Sequence, residues 1–172
     1  MIIGFHGRAG AGKDTAAAAL IRDGWQRAFF SEPLKAGLNA MFGWTPEMWD
    51  DRDWKETPIA PTWLSPRELA ISLGTQWGRD TIDRNLWVSL TMRRLPPGRD
   101  VVFTDVRFIN EANAIEAAGG IIIEIVRPNN PTPSVNHSSE ERLPSTLIDH
   151  QLINDGYPAT LQRQVRDLVS LY

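Results

Sequence analysis

The chain has 172 residues, 42% of them hydrophobic, which suits one compact domain with a substantial core rather than two full domains. It has no cysteine, which excludes disulfides and thiolate zinc sites, and its three histidines are scattered, so any metal is expected to be magnesium held by oxygen atoms. The net charge of -3 argues against a general nucleic-acid binder, so we expect small-molecule partners and no stable nucleic-acid binding.

The first part of the sequence predicts a strand, a loop and a helix in succession. Residues 2–5 are a short apolar run typical of a buried strand, residues 7–12 are rich in glycine, and the alanines within residues 13–21 favour a helix. Residues 25–30 are a candidate second strand. Pro33 is well placed to begin a helix in which Leu34, Leu38 and Met41 share one face.

The middle of the chain changes in composition. Residues 44–66 contain four tryptophans, four prolines and many acidic residues, which predicts an irregular excursion or short helices. Ser65 and Pro66 are typical of the N-cap and the first position of a helix that extends to about Trp77, with Leu69 and Leu73 one turn apart. Residues 86–95 also have a helical pattern.

The C-terminal half predicts strands at residues 101–104, 121–126 and 151–153. Between the first two, residues 109–118 favour a helix that Gly119 and Gly120 terminate. Residues 127–145 are rich in Pro, Asn and Ser and predict a mobile surface loop, and residues 158–172 predict an amphipathic closing helix. The apolar face of that helix is formed by Leu161, Val165, Leu168 and Leu171.

This alternation of strands and helices predicts an α/β fold, with a parallel sheet covered on both faces and ligands at the carboxyl ends of the strands. No apolar run approaches the ~20 residues that a membrane helix needs. The N-terminus lacks the basic start and long apolar segment of a secretory signal. We therefore expect a cytoplasmic protein with no membrane partner.

Residues 7–13, GRAGAGK, fit the phosphate-binding pattern G-x-x-x-x-G-K between a predicted strand and a predicted helix. The glycines allow backbone N–H groups to surround phosphate oxygens, the helix N-terminus adds the positive end of its dipole, and Lys13 reaches the β and γ phosphates. The pattern predicts ATP or GTP as the ligand. The alternative is a glycine-rich turn in which Asp14 caps a helix.

The residue after the lysine is Asp14 rather than the usual serine or threonine. Asp14 is a candidate magnesium ligand, directly or through water, and Thr15 is expected to contact a phosphate. Asp105 ends an apolar run, where P-loop NTPases keep a carboxylate that organises magnesium. Arg107 would stabilise charge on the transferred group, the alternative being a surface arginine that caps carbonyls or pairs with Asp105.

A kinase of this size would bind its acceptor in the stretch before the Asp105 strand, where four basic residues lie close together in sequence. They are Lys35, Arg67, Arg79 and Arg84. Each of them taken singly also suits a solvated or salt-bridged surface role. A base could stack on Trp87 or on a tryptophan between residues 44 and 63, whereas packing is the commoner role of tryptophan. The loop around His137 is too sparse for a hydrolase triad or a metal site.

Several segments carry a more selective signal because they occur together in a fixed order. They are GRAGAGKDT (residues 7–15), SEPLK (31–35), SPRELAISLGT (65–75), RDTIDRNLWV (79–88), FTDVR (103–107), IVRP (125–128), HSSE (137–140) and INDG (153–156). Together they cover most of the chain, which resembles the deoxynucleoside monophosphate kinases of tailed bacteriophages, within the wider nucleoside monophosphate kinase group of P-loop enzymes. The combination is specific to the family, not to a substrate.

The resemblance implies a P-loop kinase three-layer fold with a five-stranded parallel sheet. It implies a single domain over residues 1–172, with an acceptor-binding region at about 31–95 and a short lid at about 127–145. It also implies transfer of the γ-phosphate of ATP, with Mg²⁺, to a deoxynucleoside monophosphate, in the host cytoplasm if the chain comes from a phage.

The resemblance further implies which residues form the site. The implied ATP-binding residues are Arg8, Gly10, Ala11, Gly12, Lys13, Asp14, Thr15, Arg127, Asn154 and Asp155, the last two near the adenine. The implied substrate-binding residues are Lys35, Arg67, Gly74, Thr75, Arg79, Trp87 and Arg107. With the candidates that the residues themselves suggest, the predicted catalytic residues are Lys13, Asp105 and Arg107, and the predicted metal ligands are Asp14 and Asp105.

Some choices stay open at this level. The loop from Pro128 to Glu141 has no arginine, in contrast to lids that carry several, so lid-borne charge stabilisation is not expected. The preferred base, the choice between deoxyribose and ribose, and the choice between monomer and homodimer remain undecided. The alternative functions are another small-molecule P-loop kinase, such as one acting on dephospho-coenzyme A, and a non-catalytic ATP-binding regulatory module.

Overall fold

The computed structural model describes residues 1–128 and 143–172. It divides the chain into two compact units, one formed by residues 1–29 and 95–172 and the other by residues 30–94. The second unit spans nearly the same residues as the stretch in which the sequence predicts acceptor binding. Within the described residues, no helix is both long enough and apolar enough to cross a membrane.

The first unit is built on a five-stranded sheet in which every neighbouring pair of strands is parallel. The strands are β1 (Ile2–His6), β2 (Gln26–Ala28), β3 (Val101–Phe103), β4 (Ile121–Val126) and β5 (His150–Ile153), in the order β2-β3-β1-β4-β5. In the register, Ile3 of β1 lies opposite Val102 of β3 and Ile121 of β4. The predicted five-stranded parallel sheet is therefore confirmed.

Seven α-helices lie in the described part of the chain. They are α1 (Lys13–Arg22), α2 (Glu32–Phe42), α3 (Arg52–Glu56), α4 (Pro66–Ile71), α5 (Leu86–Met92), α6 (Ile109–Ala117) and α7 (Pro158–Val169). Helices α1, α6 and α7 belong to the first unit. Its core joins the apolar strands to α1 and α7, and Phe5, Ile123, Leu161 and Val165 are almost fully buried there. Burial of each such side chain contributes about 1.5–3 kcal/mol before entropy is counted.

The second unit is helical and irregular, as its composition predicts. A short 3₁₀ helix (Pro46–Asp50) precedes α3, and a π-helical segment (Ser72–Ile82) continues directly from α4. Trp44, Trp49 and Trp54 contact one another edge to face, with ring centroids 5.0–5.7 Å apart. Such pairs stabilise a small core, so these three tryptophans pack against each other.

In α2 and α7, the predicted apolar face includes one residue more than the observed buried face. Met41 is 62% exposed although Leu34 and Leu38 are buried, because Met41 lies in the last turn of α2, beyond the packed part of that helix. Leu171 is 76% exposed because α7 ends at Val169, after which the helical period no longer applies. The prediction of burial at these two positions was wrong.

Candidate active site

The glycine-rich loop joins the end of β1 to the start of α1. Gly7, Gly10 and Gly12 have φ angles of 139°, 75° and 109°, a region that side chains with a Cβ rarely adopt. A Cβ on Gly7 would lie 2.4 Å from the carbonyl oxygen of Ile125, and one on Gly12 would lie 2.5 Å from Asn154 Nδ2. Both positions therefore require glycine for conformation and for space.

Lys13 is the first residue of α1, and its ammonium group folds back onto the loop. Nζ donates to the carbonyl oxygens of Gly7, at 2.6 Å, and Arg8, at 3.0 Å. The side chain is half-buried. These contacts keep the positive charge of Lys13 against the loop. In a P-loop, such a charge and the backbone N–H groups bind phosphate oxygens.

A cavity of about 340 Å³ opens at the N-terminus of α1, within the size range of small-molecule sites. It is lined by Gly10, Gly12, Lys13, Asp14, Thr15, Arg127, Asn154, Gly156 and Pro158. All but the last two belong to the ATP-binding set that the resemblance implies. The sequence analysis did not assign Gly156 and Pro158 to the site. A local signal existed for both, because Gly156 ends the INDG segment and Pro158 begins α7.

The far side of the cavity is tied to the loop by side chains from the ends of β4 and β5. Asn154 Nδ2 donates to the carbonyl of Ala11 at 2.8 Å, and Arg127 Nη1 donates to the carbonyl of Gly10 at 3.4 Å. These bonds satisfy the carbonyls of Gly10 and Ala11, and the N–H of Ala11 donates within the loop to the carbonyl of Arg8 at 3.1 Å. Arg8 and Asp155 are both exposed and are not among the lining residues.

The end of β3 supplies the second group of predicted residues. Thr104 is buried, Asp105 is half-buried and Arg107 is exposed. The backbone N–H of Arg107 donates to Glu111 Oε2 at 2.8 Å, so a carboxylate that is only 2% exposed fixes the turn that follows the strand. The side chain of Arg107 is exposed beyond this turn.

The oxygen donors at the start of α1 and the end of β3 fit Mg²⁺, which takes one or two protein carboxylates and completes its shell with phosphate oxygens and water. The donors are Asp14 and Asp105. Among residues 1–128 and 143–172 there is no group of three or more His, Asp or Glu residues that could hold a metal by itself. Magnesium would therefore depend on the nucleotide for most of its ligands.

His6, the last residue of β1, is buried and was not assigned a role from the sequence. Its Nε2 accepts the N–H of Leu143 at 3.3 Å, so Nδ1 carries the proton and donates to the carbonyl of Val106 at 3.0 Å. This neutral tautomer connects β1 to the turn after β3. Sequence spacing offered no signal, because both partners are about a hundred or more residues away.

In the second unit, each predicted phosphate-binding cation has a contact. Lys35 Nζ lies 5.2 Å from the centre of the Trp49 ring, and Arg67 Nε lies 2.5 Å from Glu56 Oε1 on the surface. Arg79 Nη1 donates to the carbonyl of Arg84 at 3.4 Å. Lys35 and Arg79 are half-buried, and Arg67 is exposed.

The helix that carries Arg67 is fixed by a capping box. Ser65 Oγ accepts the N–H of Glu68, and the Glu68 carboxylate accepts both the backbone N–H of Ser65, at 2.8 Å, and its hydroxyl, at 2.9 Å. The backbone hydrogen bond and then the hydroxyl hold the pKa of Glu68 below its usual value. Ser65 and Pro66 therefore begin α4 as predicted.

The remaining predicted acceptor residues form the packed interior of the second unit. Trp87 is 6% exposed, and its indole N–H donates to the carbonyl of Gly74 at 2.8 Å. Gly78 lies so close to the Trp87 ring that a Cβ there would approach it to 2.6 Å. Trp87 thus has the packing contacts of a core residue, and Thr75 beside Gly74 is half-buried. The HSSE segment, and most of the predicted lid, lie outside the described residues.

The sheet order and the glycine-rich loop at the end of β1 define a P-loop nucleotide-binding protein of the α/β class. The chain belongs to the deoxynucleotide monophosphate kinase family, whose family model matches residues 54–165. It is therefore an enzyme of the kinase class, and the predicted family is confirmed.

Individual relatives agree with this family. A protein of Acanthamoeba polyphaga mimivirus, assigned as a deoxynucleotide monophosphate kinase, is 33% identical over 91% of this chain and 92% of its own length. A deoxynucleoside-5'-monophosphate kinase of Escherichia phage T5 is 23% identical, with 90% of this chain and 89% of the relative covered. The crystal structure of TT1252 from Thermus thermophilus has a similar fold, with a TM-score of 0.51, 17% identity, and 99% and 96% of the two chains covered.

Proposed function

We propose that this chain transfers the γ-phosphate of ATP to a deoxynucleoside monophosphate, which gives ADP and a deoxynucleoside diphosphate. The observation that carries the proposal is the cavity at the N-terminus of α1, lined by Lys13, Arg127 and Asn154, in a member of the deoxynucleotide monophosphate kinase family. ATP and the acceptor nucleotide are its small-molecule partners. We place the reaction in the cytoplasm, where both nucleotides are available.

ATP binds through its phosphates in this proposal. Gly10, Gly12, Lys13, Asp14 and Thr15 line the cavity. Their backbone N–H groups are proposed to hold the phosphate oxygens, and the dipole of α1 adds a partial positive charge. Lys13 exchanges its contacts with the carbonyls of Gly7 and Arg8 for phosphate oxygens as the nucleotide enters. Arg127 lies on the rim of the same cavity and adds a second cation. Asn154 and Asp155 are the candidates for contact with the adenine.

The acceptor nucleotide is bound by residues of the second unit. Lys35, Arg67 and Arg79 are the cations proposed to hold its phosphate, because a doubly charged phosphate monoester needs several charge-assisted hydrogen bonds. The ion pair between Arg67 and Glu56 is exposed, so it contributes little stability and opens at little cost. Gly74, Thr75 and Trp87 are proposed to shape the acceptor site through packing.

Phosphoryl transfer requires the two substrates in line, their charge neutralised and water kept away. Arg107 is proposed to stabilise the charge that develops on the transferred group, since its guanidinium is exposed beyond the end of β3. Asp14 and Asp105 would hold Mg²⁺, which supplies charge neutralisation of the ATP phosphates when bound. None of these steps needs a covalent intermediate on the protein.

A coupled assay of ADP release tests this function. ATP and magnesium are held constant while each deoxyribonucleoside and ribonucleoside monophosphate is offered in turn, with dephospho-coenzyme A as the control acceptor. We expect release that depends on one or a few deoxynucleoside monophosphates, which also identifies the base. Release without any acceptor, or with dephospho-coenzyme A alone, would contradict the proposed acceptor and leave ATP binding intact.

A further inference from the structure

Arg27, in β2, makes contacts at the edge of the ATP cavity that neither the sequence patterns nor the family assignment had singled out. Its Nη2 forms an ion pair with Asp14, the residue that follows the P-loop lysine. The same nitrogen lies 3.2 Å from the hydroxyl of Thr104, the residue before Asp105. The guanidinium carbon lies 4.6 Å from the centre of the Phe29 ring. One side chain therefore joins the start of α1 to the end of β3.

The contribution of this ion pair to folding is small. The side chains of Arg27 and Asp14 are 37% and 77% exposed, and exposed ion pairs of this kind add little to stability because water already solvates both charges. The Arg27 guanidinium nevertheless has three contacts, with the Asp14 carboxylate, the Thr104 hydroxyl and the face of the Phe29 ring. The effect of the ion pair on Asp14, the residue after Lys13, therefore matters more than its contribution to stability.

The consequence concerns the Asp14 carboxylate. Asp14 occupies the position from which P-loop proteins direct an oxygen toward magnesium, and here that carboxylate already has a cation beside it. The guanidinium and Mg²⁺ compete for one exposed carboxylate. The attraction between Asp14 and the metal is weaker when Arg27 already neutralises the charge of Asp14. The guanidinium thus weakens the binding of magnesium by the Asp14 carboxylate.

We propose that Arg27 is a positioning residue that controls the magnesium requirement of nucleotide binding. It holds the Asp14 carboxylate toward the end of β3, and Asp14 would hold Mg²⁺ only after the guanidinium has moved away from that carboxylate. This inference rests on the proposed function only in requiring that the cavity binds ATP with magnesium.

Calorimetric titration with a non-hydrolysable ATP analogue, at a series of magnesium concentrations, tests the inference without turnover. In Arg27→Gln, half-maximal analogue binding is expected at about threefold less magnesium, the size expected for the loss of one exposed ion pair. Arg27→Lys keeps the positive charge and is expected to retain most of the wild-type requirement. A shift in the lysine variant as large as that in the glutamine variant would contradict an ion-pair effect.

Two further variants separate the ion pair from other effects of charge. Arg22→Gln removes the same charge from α1, where Arg22 contacts Ala18 and Gln162, and is expected to leave the magnesium requirement unchanged. In an Asp14→Asn background, Arg27→Gln is expected to cause no further shift. An unchanged requirement in Arg27→Gln, an equal shift in Arg22→Gln, or a shift that persists without Asp14 would each overturn the proposal. Failure of the wild type to bind the analogue would instead contradict the proposed ATP site.

Discussion

Arg67 illustrates what a single side chain contributes in this account. It lies in the first turn of α4, exposed, with its guanidinium beside Glu56. Arg67→Ala is expected to raise the KM for the acceptor about tenfold while the KM for ATP changes little, because a charge-assisted hydrogen bond to the acceptor phosphate is lost. Paired saturation curves for the two substrates measure both values.

Arg52→Ala is the matched control for that substitution. Arg52 is also exposed, in the first turn of α3 in the same unit, and no role in binding is proposed for it. Its removal is expected to leave both KM values unchanged. Equal increases in the two KM values of Arg67→Ala, or a similar increase in Arg52→Ala, would show that Arg67 does not act on the acceptor phosphate.

At this scale, the residues whose place at the cavity could be predicted are those that a local sequence motif marks. Gly12 and Lys13 belong to the contiguous glycine-rich motif, and Asn154 lies in the INDG segment (153–156). Arg27 and His6 could not be predicted, because their partners are brought near only by the folding of separate strands. The contact between Arg27 and Thr104 joins β2 to the residue after β3, and no local pattern records that adjacency.

Among the elements, the π-helical segment from Ser72 to Ile82 depends on close packing with α5. Gly78 has no room for a Cβ, which would lie 2.6 Å from the Trp87 ring. Gly78→Ala is therefore expected to lower the free energy of unfolding by about 1–3 kcal/mol, the usual cost of overpacking. Urea denaturation followed by tryptophan fluorescence measures the change.

Gly37 in α2 is the matched control, because a Cβ built there meets nothing within 4 Å. Gly37→Ala is expected to raise the free energy of unfolding by about 0.5–1 kcal/mol, since alanine favours a helix more than glycine does. Destabilisation by both substitutions, or by neither, would contradict the packing that we describe around Trp87.

The elements also show where periodicity is informative. The ends of the strands and of α1 were predicted within two residues, because buried apolar runs and an alanine-rich segment are local signals. The π-helical segment was not predicted, because the sequence suggested an ordinary helix that ended near Trp77. A π-helix has a wider turn than an α-helix, and a search for a period of 3.6 residues does not detect it. Exposure of Met41 could not be predicted either, because it depends on where packing against α2 stops.

For the molecule as a whole, the chain leaves the sheet-containing unit after Phe29 and returns to it at Leu95. The insertion between β2 and β3 contains every candidate acceptor residue except Arg107, and the remaining chain contains Arg107 and the candidate ATP residues. Composition predicted the irregular structure that follows Trp44, whereas the bounds of the acceptor-binding region, about 31–95, were implied by the family resemblance. The preferred base could not be predicted, because it depends on side-chain packing within the insertion.

The central claim is that Lys13 and its loop support transfer of phosphate to a deoxynucleoside monophosphate. It is tested most directly with ATP labelled in the γ-phosphate, by measuring labelled deoxynucleoside diphosphate formed by the wild type, Lys13→Ala and the control Lys55→Ala. We predict equal formation by the wild type and Lys55→Ala, and formation at least about 100-fold slower by Lys13→Ala with its circular dichroism unchanged. Undiminished formation by Lys13→Ala, or label released only as inorganic phosphate by the wild type, would contradict the account.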